Sequence, residues 1–125
     1  MIFISHAHRD REWARNLADH LSDKGLQIWL DEYELQPGER WEEQIKNALI
    51  QSDTIVVILN EGKPAPNVLF EMGVALSQGK RILPVVLSEH ADTSVLEEFS
   101  DIQAIQTKEV GLVAQELVNT NASGH

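Results

Sequence analysis

Short apolar runs alternate with segments of helical spacing along most of the chain. Runs such as TIVVIL and RILPVVL have the length and the β-branched content of strands. Between these runs, apolar residues recur every three or four positions, as they do on a helix that packs against a sheet. This alternation is typical of βαβ units and predicts an α/β fold with a mostly parallel sheet.

The pattern predicts five strands and four helices. The strands are IFIS, LQIWL, TIVVIL, RILPVVL and a weaker DIQAIQ. The helices lie over about Asp10 to Asp23, along the stripe Trp41, Ile45, Ala48 and Leu49, over about Val68 to Gln78, and over VGLVAQELV. TIVVIL is apolar without alternation, so we expect it at the centre of the sheet, covered on both faces. For the third helix, Asn67 is available as N-cap and Gly79 as the C-terminal stop.

The composition indicates one globular domain. A chain of 125 residues with 42% hydrophobic content can bury a single core. We expect this domain over residues 1–119, followed by a flexible tail over 120–125. Cysteine is absent from the sequence, so no disulfide or thiolate-zinc site is possible, and we expect a cytoplasmic protein.

The charge balance narrows the class of partner. Twenty acidic and ten basic residues give a formal charge of -10, which opposes binding to nucleic acid or to an anionic membrane surface. The apolar runs are shorter than the roughly 20 residues of a membrane span. The first residues, MIFISHAHRD, lack the long apolar region of a signal peptide. We therefore expect a soluble domain with no nucleic-acid or membrane partner.

One carboxylate, Glu71, interrupts the apolar segment PNVLFEMG of the third helix. On a helical wheel it falls about 90° from the centre of the core stripe, at the border of the packed face. We expect it in the first helical turn, at the edge of the sheet where α/β proteins bind ligands. It is then either a carboxylate placed for chemistry or an acid that complements the helix dipole, an effect of about 0.3–1 kcal/mol.

Other polar candidates follow the first two predicted strands. Ser5 ends the first strand, where it is either a hydroxyl donor at the crevice or an ordinary loop residue. Asp31 directly follows the second strand and opens onto the same crevice. His6 and His8 form an H-x-H pair, but no third ligand stands at a recognisable spacing, so we expect two polar loop residues and no metal site.

Three segments together resemble a bacterial TIR (Toll/interleukin-1 receptor) domain, over residues 3 to about 87. FISH is similar to the first strand and loop of the family, WLDEYELQPGERW to its second strand and BB loop, and PNVLFEMG to its αC helix. The resemblance implies a flavodoxin-like fold, with a five-stranded parallel sheet in the order 2-1-3-4-5 and helices on both faces. It implies either NAD+ cleavage, with NAD+ as substrate and no cofactor, or signalling through homotypic assembly.

The resemblance also implies roles for particular residues. Glu71 matches the essential glutamate of the enzymatic members, and Asn67 stands where many members carry an aromatic residue. Ser5, His6, Asp31, Asn67 and Trp41 are the substrate-binding candidates, although the stripe that Trp41 shares with Ile45 also predicts core packing. The implied product is ADP-ribose or a cyclic variant, in bacterial defence signalling, with a possible effector or sensor domain outside this chain.

Two apolar residues of the third helix, Phe70 and Val74, fall at about 200° and 240° on the same wheel, nearly opposite the core stripe. They are either covered by the nearby loop EGKPA or exposed for self-association. Two other functions remain open. One is an adaptor that only self-associates, and the other is an enzyme like the nucleoside deoxyribosyltransferases, which attack a related glycosidic bond.

Overall fold

The computed structural model describes residues 1–30, 41–98 and 102–123. Its strands are β1 Ile2–Ser5, β2 Ile28–Leu30, β3 Thr54–Leu59, β4 Arg81–Val86 and β5 Ile105–Gln106. Its helices are α1 Arg11–Asp23, α2 Trp41–Gln51, α3 Pro66–Ser77 and α4 Val110–Ser123, and short 3-10 helices cover His8–Asp10 and Ser94–Glu98. In these described residues, no helix has both the length and the hydropathy needed to cross a membrane.

The five strands form one parallel sheet in the order β2-β1-β3-β4-β5. β3 lies in the middle, and its residues from Ile55 to Leu59 are buried, as expected for an apolar strand covered on both faces. The predicted α/β class, the flavodoxin-like strand order and the central position of TIVVIL are therefore confirmed.

The side chains of the sheet divide between two cores because successive residues of a strand point to opposite faces. Ile2 and Ile4 of β1 pack with α1 and α4 on one face, which we call the α1/α4 side. Phe3 packs with α2 and α3 on the other face, the α2/α3 side, where its ring stacks on Trp29 at a centroid distance of 4.8 Å. The expectation of helices on both faces is confirmed.

Helix α3 begins earlier than expected. Pro66 occupies the first turn and Ala65 is the N-cap, so the assignment of Asn67 as N-cap was wrong. Proline suits a first turn because its fixed φ is already helical and its missing N–H is not needed there. Glu71 consequently lies in the second turn, and the expectation that it lies in the first was also wrong. Gly79 follows the helix with a φ of +65°, which confirms it as the C-terminal stop.

Of the two alternatives for Phe70 and Val74, full exposure does not hold. Both side chains are half-buried and pack against the core on the α2/α3 side. The helical wheel considered only the sheet, whereas Val95, Leu96 and Ile102, from the chain after β4, pack against the same core. The large exposed apolar side chain of α3 is instead Leu69, which is 44% exposed.

This difference predicts unequal effects on stability. Phe70→Ala should lower the free energy of unfolding by about 1–3 kcal/mol, because it removes a half-buried ring from a packed core. Leu69→Ala, one residue away in the same helix, should change it by less than about 0.5 kcal/mol. Urea denaturation of both variants provides the measurement, and equal midpoints would show that the phenyl ring contributes no packing.

Several other boundaries differ in detail. α4 is helical as far as Ser123, so most of the segment assigned to a flexible tail belongs to a helix. β2 and β5 are shorter than LQIWL and DIQAIQ. α2 begins at Trp41 and buries Ile45, Ala48 and Leu49, as its apolar stripe predicts.

Candidate active site

Glu71 lies inside the protein, with 0% of its side chain exposed. It projects from the second turn of α3 toward the carboxyl end of β1. Strand alternation puts Ser5 on the same face as Phe3, which is the α2/α3 side. The Ser5 hydroxyl therefore meets α3, and Ser5 Oγ donates a hydrogen bond of 2.5 Å to Glu71 Oε1.

The burial of Glu71 argues against one of the two interpretations of this carboxylate. An acid that only complements a helix dipole stands in the first turn and in solvent, and Glu71 does neither. Burying a carboxylate is unfavourable unless hydrogen bonds replace its hydration, and the short bond from Ser5 is one such replacement. Stabilisation of the helix dipole therefore does not account for the position of Glu71.

His6 and Asn67 lie next to this pair. His6 is buried, and its Nδ1 stands 2.8 Å from the backbone oxygen of Ala7, to which the Nδ1–H tautomer donates. Asn67 Nδ2 donates to the backbone oxygen of His6 over 2.9 Å. Asn67 thus ties the start of α3 to the loop that follows β1, one turn of helix before Glu71.

Four of the six substrate-site candidates are brought together by these contacts, namely Ser5, His6, Asn67 and Glu71. Asp31 lies outside the described residues, as does the rest of the segment 31–40 that resembles the BB loop. The side chain of Trp41 is also outside them, so its stacking role stays a prediction. His8 is exposed whereas His6 is buried, and among the described residues no cluster of His, Cys, Asp or Glu is arranged to hold a metal ion.

Two polar residues that the sequence did not single out lie on the opposite side of the same loop. Asp10 is only 5% exposed, and Asn60 Nδ2 donates to its Oδ1 over 2.6 Å. The pair borders a cleft of about 630 Å³ on the α1/α4 side, with walls that include Arg9, Trp13, Asn16 and Lys108. Glu71 is not among the described residues that line this cleft, so the buried carboxylate and the cleft are separate features of the carboxyl edge.

The fold and the site define a class of flavodoxin-like α/β domain in which a buried helical carboxylate faces the end of the first strand. Comparison with known families identifies the family within this class, since residues 2–117 match the family model described as TIR domain. The chain belongs to the TIR domain family.

Two curated relatives are similar to parts of this chain. The NAD(+) hydrolase TcpA of Theionarchaea archaeon is 41% identical over 61 residues, which are 48% of this chain and 18% of the relative. The 2' cyclic ADP-D-ribose synthase AbTIR of Acinetobacter baumannii is 37% identical over 60 residues, 47% of this chain and 22% of the relative. The matched segments thus span about a fifth of the length of each relative.

A solved structure extends the similarity to the whole fold. The TIR domain of the Toll-related receptor TRR-2 from Hydra magnipapillata superposes with a TM-score of 0.73 at 20% identity. The alignment covers 96% of this chain and 95% of that one. At this identity, the likeness concerns the architecture alone.

Proposed function

We propose that this domain cleaves the bond between nicotinamide and ribose in NAD+, with Glu71 as the catalytic carboxylate. The observation that carries the proposal is a fully buried glutamate, hydrogen-bonded by Ser5, at the carboxyl edge of a parallel sheet. The printed names of the relatives, an NAD(+) hydrolase and a cyclic ADP-ribose synthase, support the same reaction class.

The reaction needs little more than one well-placed carboxylate. When the glycosidic C–N bond breaks, nicotinamide leaves with the bonding electron pair as a neutral base, and positive charge develops on the ribose. A carboxylate within the protein stabilises that charge strongly because bulk water does not screen it. Glu71 can also bond covalently to the anomeric carbon and hold it until an acceptor arrives.

The acceptor determines the product. Water gives ADP-ribose and releases one proton, whereas a hydroxyl of the same molecule gives a cyclic ADP-ribose and likewise releases its proton. Both products follow from the same first step, so the proposal covers a hydrolase and a cyclase. Chromatography of the products against standards distinguishes the two.

The neighbouring residues have supporting roles in this proposal. Ser5 orients the Glu71 carboxylate through its hydroxyl, and Asn67 and His6 fix the loop against α3. Asp31 and Trp41 remain candidates for contacts with the ribose and the adenine. Within the proposal the protein acts in the cytoplasm, in bacterial defence signalling, and self-association activates it.

The activation step predicts a dependence on concentration. NAD+ turnover per molecule should rise with protein concentration, because association orders the site. Leu69→Asp should flatten this rise if α3 contributes to the interface through Leu69 and the exposed parts of Phe70 and Val74. Leu112→Asp on α4, where the leucine is 56% exposed, is the matched control and should keep the rise. Constant turnover per molecule in the unmodified protein would contradict activation by assembly.

A substrate panel tests the reaction itself. Concentrated protein is incubated separately with NAD+ and with a pair of a deoxynucleoside and a second free base. The proposal expects nicotinamide from the first mixture and no base exchange in the second. Base exchange with intact NAD+ would instead support a deoxyribosyltransferase, and a folded, self-associating protein inert in both mixtures would support an adaptor.

A further inference from the structure

A hydrogen bond between Asp10 and Asn60 joins the chain segment after β1 to the segment after β3. Asp10 ends the 3-10 helix after β1 and is the N-cap residue of α1, whereas Asn60 directly follows β3. β1 and β3 are neighbours in the sheet, but their connections lead to β2 on one side and to β4 on the other. In open α/β sheets, ligand sites lie at this switch point. We call the hydrogen bond between Asn60 Nδ2 and Asp10 Oδ1, 2.6 Å long, the clasp.

A capping hydrogen bond does not explain the position of the Asp10 carboxylate. An aspartate at an N-cap normally accepts a hydrogen bond from a backbone N–H of the first helical turn, but in α1, all of which the structure describes, Asp10 makes no such bond. Its nearest described cation, the half-exposed Arg9, approaches only to 4.0 Å, which contributes little. A carboxylate that is 5% exposed is therefore committed to a partner 50 residues away.

The clasp secures the far end of the loop whose near end forms the candidate active site. Asn60 follows Leu59, so alternation puts it with Val56 and Ile58 on the α1/α4 side, where Asp10 starts α1. The near end is fixed on the α2/α3 side by the bonds from Ser5 to Glu71 and from Asn67 to His6. Between the two ends, Asp10 N donates to the Ala7 oxygen over 3.0 Å, and Arg9 donates to the Glu61 oxygen. The loop is thus held from both faces of the sheet.

We propose that Asp10 and Asn60 are positioning residues for the NAD+-cleaving site. The clasp fixes loop 6–9 against the rigid end of β3, and the loop in turn fixes the Ser5 hydroxyl against Glu71. This inference rests on the proposed function, because it assigns the clasp to the same reaction. Misplacement of a reacting group by about 1 Å can cost on the order of 100-fold in rate, so the clasp is expected to act on kcat.

Three variants test the clasp through its hydrogen-bond chemistry. Asp10→Ala removes the hydrogen bond, and Asn60→Asp places two carboxylates next to each other. The double variant Asp10→Asn with Asn60→Asp, the exchanged pair, restores a bond between an amide and a carboxylate with the donor and acceptor positions reversed. We expect kcat to fall on the order of 10-fold or more in the first two, with KM changed by less than about threefold. The exchanged pair should regain kcat to within about threefold of the unmodified protein, a recovery that general damage to the fold would not give.

The Asn60→Asp variant adds a pH signature with a definite sign. At low pH its two carboxylates share a proton and bond, and at higher pH both ionise and repel. The kcat of this variant relative to the unmodified protein should therefore fall as pH rises. The other charged groups that line the cleft, Arg9, Glu12, Glu61 and Lys108, are the same in both proteins. Asn16→Asp places the same new charge at an exposed position of this cleft and should leave kcat and its pH profile unchanged.

Backbone hydrogen exchange over residues 6–10 gives a readout that does not depend on NAD+. Exchange should be faster in Asp10→Ala and Asn60→Asp and should return to its original rate in the exchanged pair. If the unmodified protein leaves NAD+ intact, the proposed function fails, and the exchange data still decide whether the clasp holds the loop. A folded Asp10→Ala with full kcat, or an exchanged pair that recovers neither kcat nor protection, would overturn the inference. If Asp10→Ala does not fold, the inference is tested by kcat and hydrogen exchange in Asn60→Asp and in the exchanged pair.

Discussion

Glu71→Gln is expected to lower NAD+ turnover by on the order of 1,000-fold or more in a protein that stays folded. Glutamine has nearly the same shape, and its amide oxygen can still accept the hydrogen bond from Ser5 Oγ. It lacks the negative charge that stabilises the developing ribosyl cation, and it cannot form the covalent intermediate. The loss should therefore appear in kcat while substrate binding changes little.

The stability of the same variant provides an internal control. A fully buried carboxylate is unfavourable for folding, so the neutral amide should leave the free energy of unfolding unchanged or raise it. Glu116→Gln, at an exposed position of α4, makes the same chemical change outside the site and should affect neither turnover nor stability. Full turnover in a folded Glu71→Gln protein would exclude Glu71 as the catalytic carboxylate.

Ser5→Ala is expected to have the second-largest effect, a fall in kcat of roughly 10- to 100-fold. The hydroxyl donates a bond of 2.5 Å to Glu71, and its removal takes away a short hydrogen bond that orients the carboxylate. A hydrogen bond to a charged group contributes about 1.5–3 kcal/mol, so the free energy of unfolding should also fall, unlike in Glu71→Gln. Steady-state kinetics and urea denaturation measure the two effects.

The chain offers a matched control for this variant. Ser52 is also fully buried, and it donates a bond of 2.7 Å, but to the backbone oxygen of Ala48 in α2. Ser52→Ala should therefore lower stability by about 1 kcal/mol and leave kcat unchanged. A similar kcat in Ser5→Ala and Ser52→Ala would mean that the hydroxyl of Ser5 only fills space.

The strand order and the two helical layers could be predicted because they depend on local periodicity and on a match to known motifs. The uninterrupted apolar composition of TIVVIL predicts a central strand, because a strand covered on both faces has no polar side. The partial burial of Phe70 could not be predicted from local periodicity. Phe70 packs against the same core as Leu96 and Ile102, which lie more than 20 positions away in the chain.

The candidate site shows the same division. The position of Glu71 at the border of a helical stripe is a local property, whereas its hydrogen bond from Ser5, 66 residues earlier, is a tertiary contact. Asp10 looked like the start of a helix, which it is, and no local signal separates a capping aspartate from one bonded to Asn60. Side chains that pair across a sheet edge become visible only when the strand order and the alternation of each strand are known.

Catalysis by Glu71 is tested most directly by measuring the nicotinamide that concentrated, purified protein releases from NAD+, with Glu71→Gln measured in parallel. We expect one nicotinamide for each NAD+ consumed, an equal amount of ADP-ribose or a cyclic ADP-ribose, and no release above background from the Glu71→Gln protein. Folded protein that leaves NAD+ intact at every concentration, or a Glu71→Gln variant that releases nicotinamide at the original rate, would contradict catalysis by Glu71.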